Sequence, residues 1–322
     1  LKNQHVYCIK ALKELCSAEV DKAEIGTTKL RFIPGKINAK TLNIDIETAG
    51  SITLLLQALI IPSIFANQNI RLKIIGGTDV KWSSPVDYFS RVFLPHIIKF
   101  TKSTKFALKD RGYYPRGKGN IDLLIHPKYK ISDFSNLDKF LDYIRKEDKK
   151  IRLIEQGELI QVKGTSHASK DLAKTEVAER QARKAELVLS SLNCPINITT
   201  EYRNTSSIGS GITLSALFSK NGEEIDFSNP IILGSNALGE KGKNADVIGE
   251  EAAQILLKHI NEKTPTDPYL ADQLIPFIAL FGGEIKTSEI TQHSLANAYV
   301  CNKFLEDSIE IDEENNIIRS KF

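Results

Sequence analysis

The sequence contains no methionine, only four cysteines, and no apolar run long enough to span a membrane. Cys8, Cys16, Cys194 and Cys301 show neither the CxxC spacing of zinc sites nor the density of a disulfide scaffold, which indicates reduced residues in a cytoplasmic protein. The most apolar run, residues 52–66, is interrupted by a glutamine and a proline and is shorter than a membrane helix. It predicts a buried helix, and we expect no membrane contact.

The balance of residue types is that of an ordinary globular protein. Of the 322 residues, 41% are hydrophobic and 26% are charged, which excludes extensive disorder and suits one large or two smaller domains. The net charge of +3 is only mildly basic, so any contact with nucleic acid should be a local patch.

Alternating helix and strand patterns repeat along the chain. A helix at 3–18 precedes strands at 28–34 and 40–46. A fuller copy follows, with helix 49–66, strand 70–75, helix 85–100 and strands 104–109 and 119–126. The C-terminal part repeats it with helices 244–260 and 268–281, a strand near 284, helix 294–304 and strands near 307–311 and 315–320. These patterns predict an α/β (α+β) fold of three repeated βαβαββ-type units.

The first copy lacks its opening strand and helix. This pattern and the missing methionine predict that a few tens of residues precede Leu1.

A segment with a different pattern of predicted elements separates the second and third copies. It contains a predicted strand at 152–163, a long charged helix at 168–190, and strands near 195–202 and 211–218. We therefore expect 151–238 to form a smaller inserted α/β domain, and 1–150 with 239–322 to form the large domain.

The segment GYYPRGKG, residues 112–119, resembles a phosphate-binding P-loop, but both flanking segments have strand patterns. Without a following helix or a hydroxyl for Mg²⁺, a hairpin loop is the better interpretation. Arg111, Arg116 and Lys118 lie in or beside this loop, together with two tyrosines and Pro115. This combination suits an anionic ligand with a ring that can stack.

Among the six histidines, His293 is the best candidate for a catalytic group. It lies at a predicted helix start in TQHSLAN, where backbone N–H groups can bind a phosphate, and Asn297 follows one turn later. The other histidines favour structural or solvated roles: His5, His96, His126, His167 and His259.

Other segments supply polar groups next to predicted helices. GGTDV at 76–80 follows a strand, and GEKGK at 239–243 offers Lys241 and Lys243 to a phosphate backbone or forms a flexible basic linker. YLADQ at 269–273 places polar side chains on an apolar helix, either for a ligand or for helix capping and one buried hydrogen bond.

Taken in order, GYYPRGKG, GGTDV, GEKGK, YLADQ and TQHSLAN resemble the RNA 3′-terminal phosphate cyclase family. The resemblance also includes QHVYCIKALKELC at 4–16, TAGSITLLLQ at 48–57 and ASKDLAKTEVAER at 168–180. That family has three α/β repeats with a smaller domain inserted before the third.

The resemblance implies an ATP-dependent, ligase-type enzyme that converts an RNA 3′-phosphate to a 2′,3′-cyclic phosphate. The family reaction runs through a histidine–AMP adduct and RNA(3′)pp(5′)A, and its catalytic histidine matches His293. Its adenosine-binding positions match Gln57, Pro115, Tyr269, Leu270, Ala271, Asp272 and Gln273. We expect ATP with a divalent metal, Mg²⁺, as cofactors, and an RNA 3′-phosphate end as the partner.

The sequence departs from the family pattern in two places. Lys118 replaces a usual glycine, and the glycine-rich N-terminal segment that carries part of the metal and phosphate site is absent, so metal ligands are not assigned. We assign RNA or phosphate contacts to Arg111, Arg116, Lys118, Lys241 and Lys243.

Two alternatives remain at this level. A non-catalytic cyclase-like factor of ribosome biogenesis shares the fold but generally lacks the histidine, and an enolpyruvyl transferase resembles the same repeats but needs a different anion-binding set.

Overall fold

The computed structural model describes residues 1–38, 40–147, 150–222 and 224–322, which form a mixed α/β structure. The helices are α1 (Asn3–Cys16), α2 (Ile52–Ile64), α3 (Val86–Tyr88), α4 (Leu94–Ile97), α5 (Leu137–Glu147), α6 (Val177–Leu189), α7 (Ala245–Asn261), α8 (Pro268–Phe281) and α9 (Gln292–Phe304). The first strands are β1 (Glu19–Asp21), β2 (Arg31–Ile33), β3 (Thr41–Asp45), β4 (Ile70–Gly76), β5 (Thr101–Asp110), β6 (Gly119–Pro127) and β7 (Ile151–Leu153). The remaining strands are β8 (Glu158–Ser169), β9 (Ile196–Arg203), β10 (Ser210–Ser219), β11 (Ile231–Leu238), β12 (Gly283–Lys286), β13 (Ile309–Asp312) and β14 (Ile317–Ser320). The predicted mixed fold class is confirmed.

Two four-stranded sheets have the same strand order. In one, β3 and β4 are parallel, and β6 lies between β4 and β5, antiparallel to both. In the other, β7 and β12 are parallel, and β14 lies between β12 and β13 in the same antiparallel arrangement. Both therefore follow a strand, helix, strand, helix, strand, strand order, in which a helical crossover joins the parallel pair.

The opening strand of the C-terminal unit lies before the inserted segment. The strand predicted at 152–163 divides into β7 and β8, and β7 pairs with β12 in the C-terminal sheet. Gly157 separates the two strands with a φ of +75°, and a Cβ there would lie 2.3 Å from the Ser219 carbonyl oxygen. Since only glycine tolerates both constraints, the extended run ends at this position.

The inserted segment forms a third sheet, in the order β11-β10-β8-β9. On this sheet lie α6 and α7, and α7 also packs against α6. The helix at 244–260 was predicted to belong to the third copy, but α7, which forms there, contacts β10 and β11 and so lies on the inserted sheet. The limits of the two domains stay predictions.

Several short elements differ from the sequence expectations. The strand predicted at 40–46 is β3, which belongs to the second unit, whereas β2 pairs with the short β1. The polar stretch after β6 contains α5, whose buried Phe140, Leu141 and Ile144 form its apolar face. Strand β11 was not predicted from the sequence. Three-residue strands and glycine-containing strands give too weak a pattern to be recognised alone.

The helix predicted at 85–100 is continuous but irregular. A π-helical turn at Phe89–Phe93 separates α3 from α4, and a 3₁₀ turn at Ile98–Phe100 ends the segment. Pro95 has no N–H to donate and crowds the preceding turn, which accounts for the widened turn before it. Phe100 stacks on Phe281 of α8 with ring centroids 3.8 Å apart, so this segment and α8 share one core.

The apolar helix α2 has 13 residues, most of them buried. Across the described ranges, no helix combines the length and the apolar character that crossing a bilayer requires.

Asp267 fixes the start of α8. Its Oδ1 accepts hydrogen bonds from the Tyr88 hydroxyl at 2.7 Å and from the N–H groups of Tyr269 and Leu270 at 3.0 Å. Its Oδ2 accepts from the Gly234 N–H at 2.9 Å, on β11. One carboxylate therefore caps α8 and connects it to α3 and to the inserted sheet.

We predict that Asp267→Ala lowers the free energy of unfolding by about 3 kcal/mol or more, because it leaves the buried Tyr88 hydroxyl and Gly234 N–H without acceptors. Chemical denaturation would measure this loss. The matched control is Thr291→Ala, which removes the N-cap of α9 and should cost about 1 kcal/mol. Equal losses in the two variants would show that Asp267 acts only as a cap.

Candidate active site

The loop between β5 and β6 is a hairpin, as the sequence predicted. The Gly117 N–H donates to the Tyr113 carbonyl at 2.8 Å, and Gly117 and Lys118 both have positive φ. The Thr78 hydroxyl accepts from the Gly112 N–H at 2.8 Å, which anchors the loop to the segment after β4. The following element is β6, so the geometry of a P-loop is not present here.

Arg111, at the base of this hairpin, is almost completely buried, with 2% of its surface exposed. Its guanidinium contacts Asp79 Oδ2 at 3.1 Å, Asp87 Oδ2 at 2.6 Å and Glu201 Oε1 at 2.5 Å. This set is the Arg111 cluster. It connects the hairpin, the segment after β4, α3 and the inserted strand β9.

Opposite charges hold the Arg111 cluster in its ionised form. Burial alone would raise the pKa of Asp79, but attraction to His167 and Arg111 outweighs burial and lowers that pKa below its usual range. Burial would likewise lower the pKa of Arg111, yet the neighbouring carboxylates raise it. Arg111 was predicted to contact RNA or phosphate; this stays a prediction, and the observed geometry does not favour it, because the charge is buried and already paired.

Asp79, Asp87 and His167 have the residue types and proximity of a metal site, since their ligand atoms lie within 4.8 Å of one another. However, Asp79 Oδ2 and Asp87 Oδ2 are the atoms that contact the Arg111 guanidinium. A divalent cation would have to displace that guanidinium or share the carboxylates with it. The group could therefore hold a metal only by displacing Arg111 or sharing its carboxylates with it, and the buried Nε2 of His167, which has no hydrogen-bond partner among the described residues, is the atom free to bind it.

A cavity of about 940 Å³ opens beside the Arg111 cluster. Its lining includes Ser51 at the start of α2, Tyr114 and Pro115 of the hairpin, Trp82, and Lys241 after β11. We call it the hairpin cavity. It lies where the second unit meets the inserted sheet, so its wall comes from both.

A series of hydrogen bonds leads from the hairpin cavity to α8. The Ser51 hydroxyl lies 2.9 Å from that of Thr53, and the Thr53 hydroxyl donates to the Ser84 carbonyl at 2.7 Å. Gln273 Nε2 then donates to the Ser84 hydroxyl at 3.2 Å. Gln57 lies one turn after Thr53 on α2 and is half-buried. These bonds connect the start of α2 with α8, and Ser51 lines the hairpin cavity together with Tyr114 and Pro115.

One face of α8 presents three of the expected adenosine-binding side chains. Tyr269 is 58% exposed, whereas Leu270 and Ala271 are fully buried, so the side chains of those two point into the core and not toward a ligand. Gln273 Oε1 is buried and accepts no hydrogen bond from the described residues. Asp272 is half-buried, and burial followed by repulsion from Asp267 raises its pKa to about 7.

His293 is exposed on the first turn of α9, after the N-cap Thr291. One turn later, Asn297 Nδ2 donates to the Asp272 carbonyl at 3.0 Å. This bond holds α9 against α8. The imidazole therefore lies on the helix that contacts the Asp272 segment, at the helix end that attracts anions.

The expected phosphate-binding cations differ in their partners. Lys118 pairs with Asp45 at 2.9 Å, and Lys243 pairs with Glu251 at 2.5 Å. Arg116 and Lys241 are exposed and have no ion-pair partner in the part of the chain that the structure describes. These two are the cations most available to a phosphate group.

Sequence comparison assigns the chain to a family. The profile of RNA 3′-terminal phosphate cyclases matches residues 1–311. The chain belongs to this family. It is 40% identical over 314 residues to the RNA 3′-terminal phosphate cyclase of Pyrococcus abyssi, and this alignment covers 98% of this chain and 83% of the relative. It is 38% identical over 313 residues to that of Saccharolobus solfataricus, covering 97% of this chain and 83% of the relative.

Two histidines of this cyclase-family chain have the structural roles that the sequence favoured. His96 is buried in α4, 2.7 Å from the Val92 carbonyl, and burial lowers its pKa to about 4. His259 lies 3.1 Å from the Gly234 carbonyl.

The group around His167 was not predicted from the sequence. The Tyr113 hydroxyl lies 2.8 Å from His167 Nδ1, and Nε2 lies 3.3 Å from Asp79 Oδ1 in an orientation that forms no hydrogen bond. Asp79, Tyr113, His167 and Glu201 come from separate segments, and no local motif indicates that they meet.

The raised pKa of Asp272 predicts a pH-dependent stability. The folded state keeps a proton that the unfolded state loses, so the free energy of unfolding should fall as pH rises from about 4 to about 7. The slope should not exceed about 1.4 kcal/mol per pH unit. Denaturation at several pH values should show this fall in wild type relative to Asp272→Asn.

The control for this measurement is Glu289→Gln, at an exposed position before α9. Its stability should follow wild type across the same range. A constant difference between wild type and Asp272→Asn would contradict the raised pKa.

Proposed function

We propose that this protein is an RNA 3′-terminal phosphate cyclase that uses ATP to convert an RNA 3′-phosphate to a 2′,3′-cyclic phosphate. The observation that carries the proposal is the pairing of α8 with α9. This pair presents an exposed ring, a polar face and the imidazole of His293. Family membership supplies the reaction class. A cytoplasmic location stays a prediction from the cysteine pattern.

The adenine of ATP has suitable partners on α8. The Tyr269 ring offers a stacking surface, and Gln273 Oε1 can accept a hydrogen bond from the adenine amino group. Asp272, with a pKa near 7, can donate or accept at the ring edge. Gln57 and Pro115 are assigned to the same proposed pocket: the hydrogen-bonded series through Ser84 joins α8 to Ser51, which lines the hairpin cavity with Pro115.

His293 is the proposed nucleophile. A neutral ring nitrogen attacks the α-phosphorus of ATP, an N–P bond forms, the bond to the β-phosphate breaks, and pyrophosphate leaves. The N–H groups at the start of α9 favour the negative charge that gathers on the α-phosphate. Mg²⁺ bound to the ATP substrate would offset the charge of the departing pyrophosphate.

Two further transfers complete the reaction. An oxygen of the RNA 3′-phosphate attacks the α-phosphorus, which frees His293 and gives RNA(3′)pp(5′)A. The neighbouring 2′-hydroxyl then attacks the terminal RNA phosphorus, loses its proton, and releases AMP as the cyclic phosphate closes. Splitting the condensation in this way supplies a good leaving group at each step.

Incubation with α-labelled ATP should leave an acid-labile, base-stable label on the protein and release pyrophosphate. His293→Ala and His293→Asn should both abolish the label, because neither side chain is a nucleophile, while ATP binding by calorimetry persists. The matched control is His5→Ala, which removes another exposed histidine and should keep the label.

Label in His293→Ala would move the nucleophile elsewhere. A wild-type protein that binds RNA but never acquires label would instead support the non-catalytic cyclase-like alternative.

Arg116 and Lys241 are the proposed main phosphate contacts, with Lys118 and Lys243 secondary because carboxylates already pair with them. RNA affinity should fall with salt, and Arg116→Gln or Lys241→Gln should each reduce the log–log slope by about 0.7. Lys102→Gln is the control, since Lys102 lies near the far end of the ten-residue β5. A slope that survives both site substitutions would refute this assignment.

A further inference from the structure

Trp82 is the single tryptophan of the sequence and is 85% exposed. Its φ is +64°, a backbone conformation that costs free energy for a bulky side chain and that glycine or asparagine adopts more readily. Exposure of a large ring is unfavourable as well, since covering it would remove much apolar surface from water. Both features suggest that the ring is presented for a ligand.

The loop that carries Trp82 is fixed on both sides. The Thr78 N–H donates to the Gly112 carbonyl at 2.9 Å, and the Val86 N–H donates to the Thr78 carbonyl at 3.0 Å. Next to the tryptophan, Lys81 pairs with Glu240 at 3.1 Å. The backbone that carries the ring is therefore held at a set place between the second unit and the inserted sheet.

Trp82 lines two adjoining spaces: the hairpin cavity and a second one of about 570 Å³ along α7. Tyr114, which is 77% exposed, lines the hairpin cavity too. The chain from Trp82 reaches Ser84, the partner of Gln273, within two residues. The two exposed rings thus lie next to the proposed nucleotide pocket without sharing its α8 wall.

The charge around these spaces favours an anionic ligand. Every carboxylate that lines them has a basic partner: Asp79 with Arg111, Glu240 with Lys81, Glu250 with Lys184, and Glu251 with Lys243. Lys241 lines the hairpin cavity, and Arg116 is the exposed residue directly after the lining residue Pro115 in the chain. Neither Lys241 nor Arg116 has an ion-pair partner among the described residues. Exposed rings beside free cations are typical of surfaces that bind single-stranded nucleic acid.

We propose that Trp82 is a stacking platform for a base of the RNA strand upstream of its 3′-phosphate, with Tyr114 as a second ring in the same path. The inference rests on the proposed function. The ring binds the base through its face, so little sequence preference is expected. Arg116 and Lys241 contact the phosphates between the stacked bases.

Tryptophan fluorescence tests the proposal, with Trp82→Phe as the baseline. A single-stranded oligonucleotide with a 3′-phosphate should quench wild-type emission, and abasic sites placed one at a time should identify the position at which quenching is lost. Trp82→Asn should bind the oligonucleotide roughly 5- to 150-fold more weakly, with Trp82→Phe between it and wild type. Asparagine tolerates positive φ, so the melting temperature should equal or exceed that of wild type.

Phe227→Ala is the matched control, because Phe227 is 82% exposed outside these cavities and its loss should leave RNA affinity unchanged.

Wild-type affinity in Trp82→Asn would overturn the proposal, as would quenching by ATP alone. Emission that changes with protein concentration and not with RNA would assign the ring to a second copy of the chain. The two proposals can fail separately. Absence of label from ATP would refute the proposed function, whereas quenching of Trp82 emission by RNA can be measured whether or not the label forms.

Discussion

The position of the candidate site depends on the buried charge of Arg111. Its guanidinium contacts carboxylates from three separate segments, and each contact would be costly to break because an unpaired charge would remain in the interior. Glu201 belongs to the inserted sheet, whereas Arg111 begins the hairpin of the second unit. This cluster therefore sets how the hairpin cavity is shaped, although none of its charge is free to bind RNA.

A second buried carboxylate has the same effect at the other end of the site. Asp267 caps α8 and also accepts hydrogen bonds from Tyr88 and Gly234. Because α8 cannot rotate without breaking these bonds, Tyr269 and Gln273 keep their outward face. The Asn297 bond to the Asp272 carbonyl then positions the helix that carries His293.

Repetition explains where the site lies. The second and C-terminal units share one strand order, and the chain leaves the latter after β7 to build the inserted sheet before returning at α8. The hairpin and residues of the inserted sheet share the wall of the hairpin cavity, and the segment after β4 reaches the first helix of the C-terminal unit through the bond between Ser84 and Gln273. A ligand pocket at such a junction can take rings from one element and charges from another.

The sequence by itself determined the long, periodic elements and the ordered motifs. Helix α8 has its predicted bounds of 268–281, and the motifs ending in TQHSLAN were sufficient to indicate the family. Local pattern could not show that Arg111 is buried, that β7 pairs with β12, or that Leu270 and Ala271 face the core. Those outcomes depend on contacts between residues far apart in the chain. Only the tertiary structure decides which charge finds a buried partner and which, like that of Lys241, stays exposed to solvent.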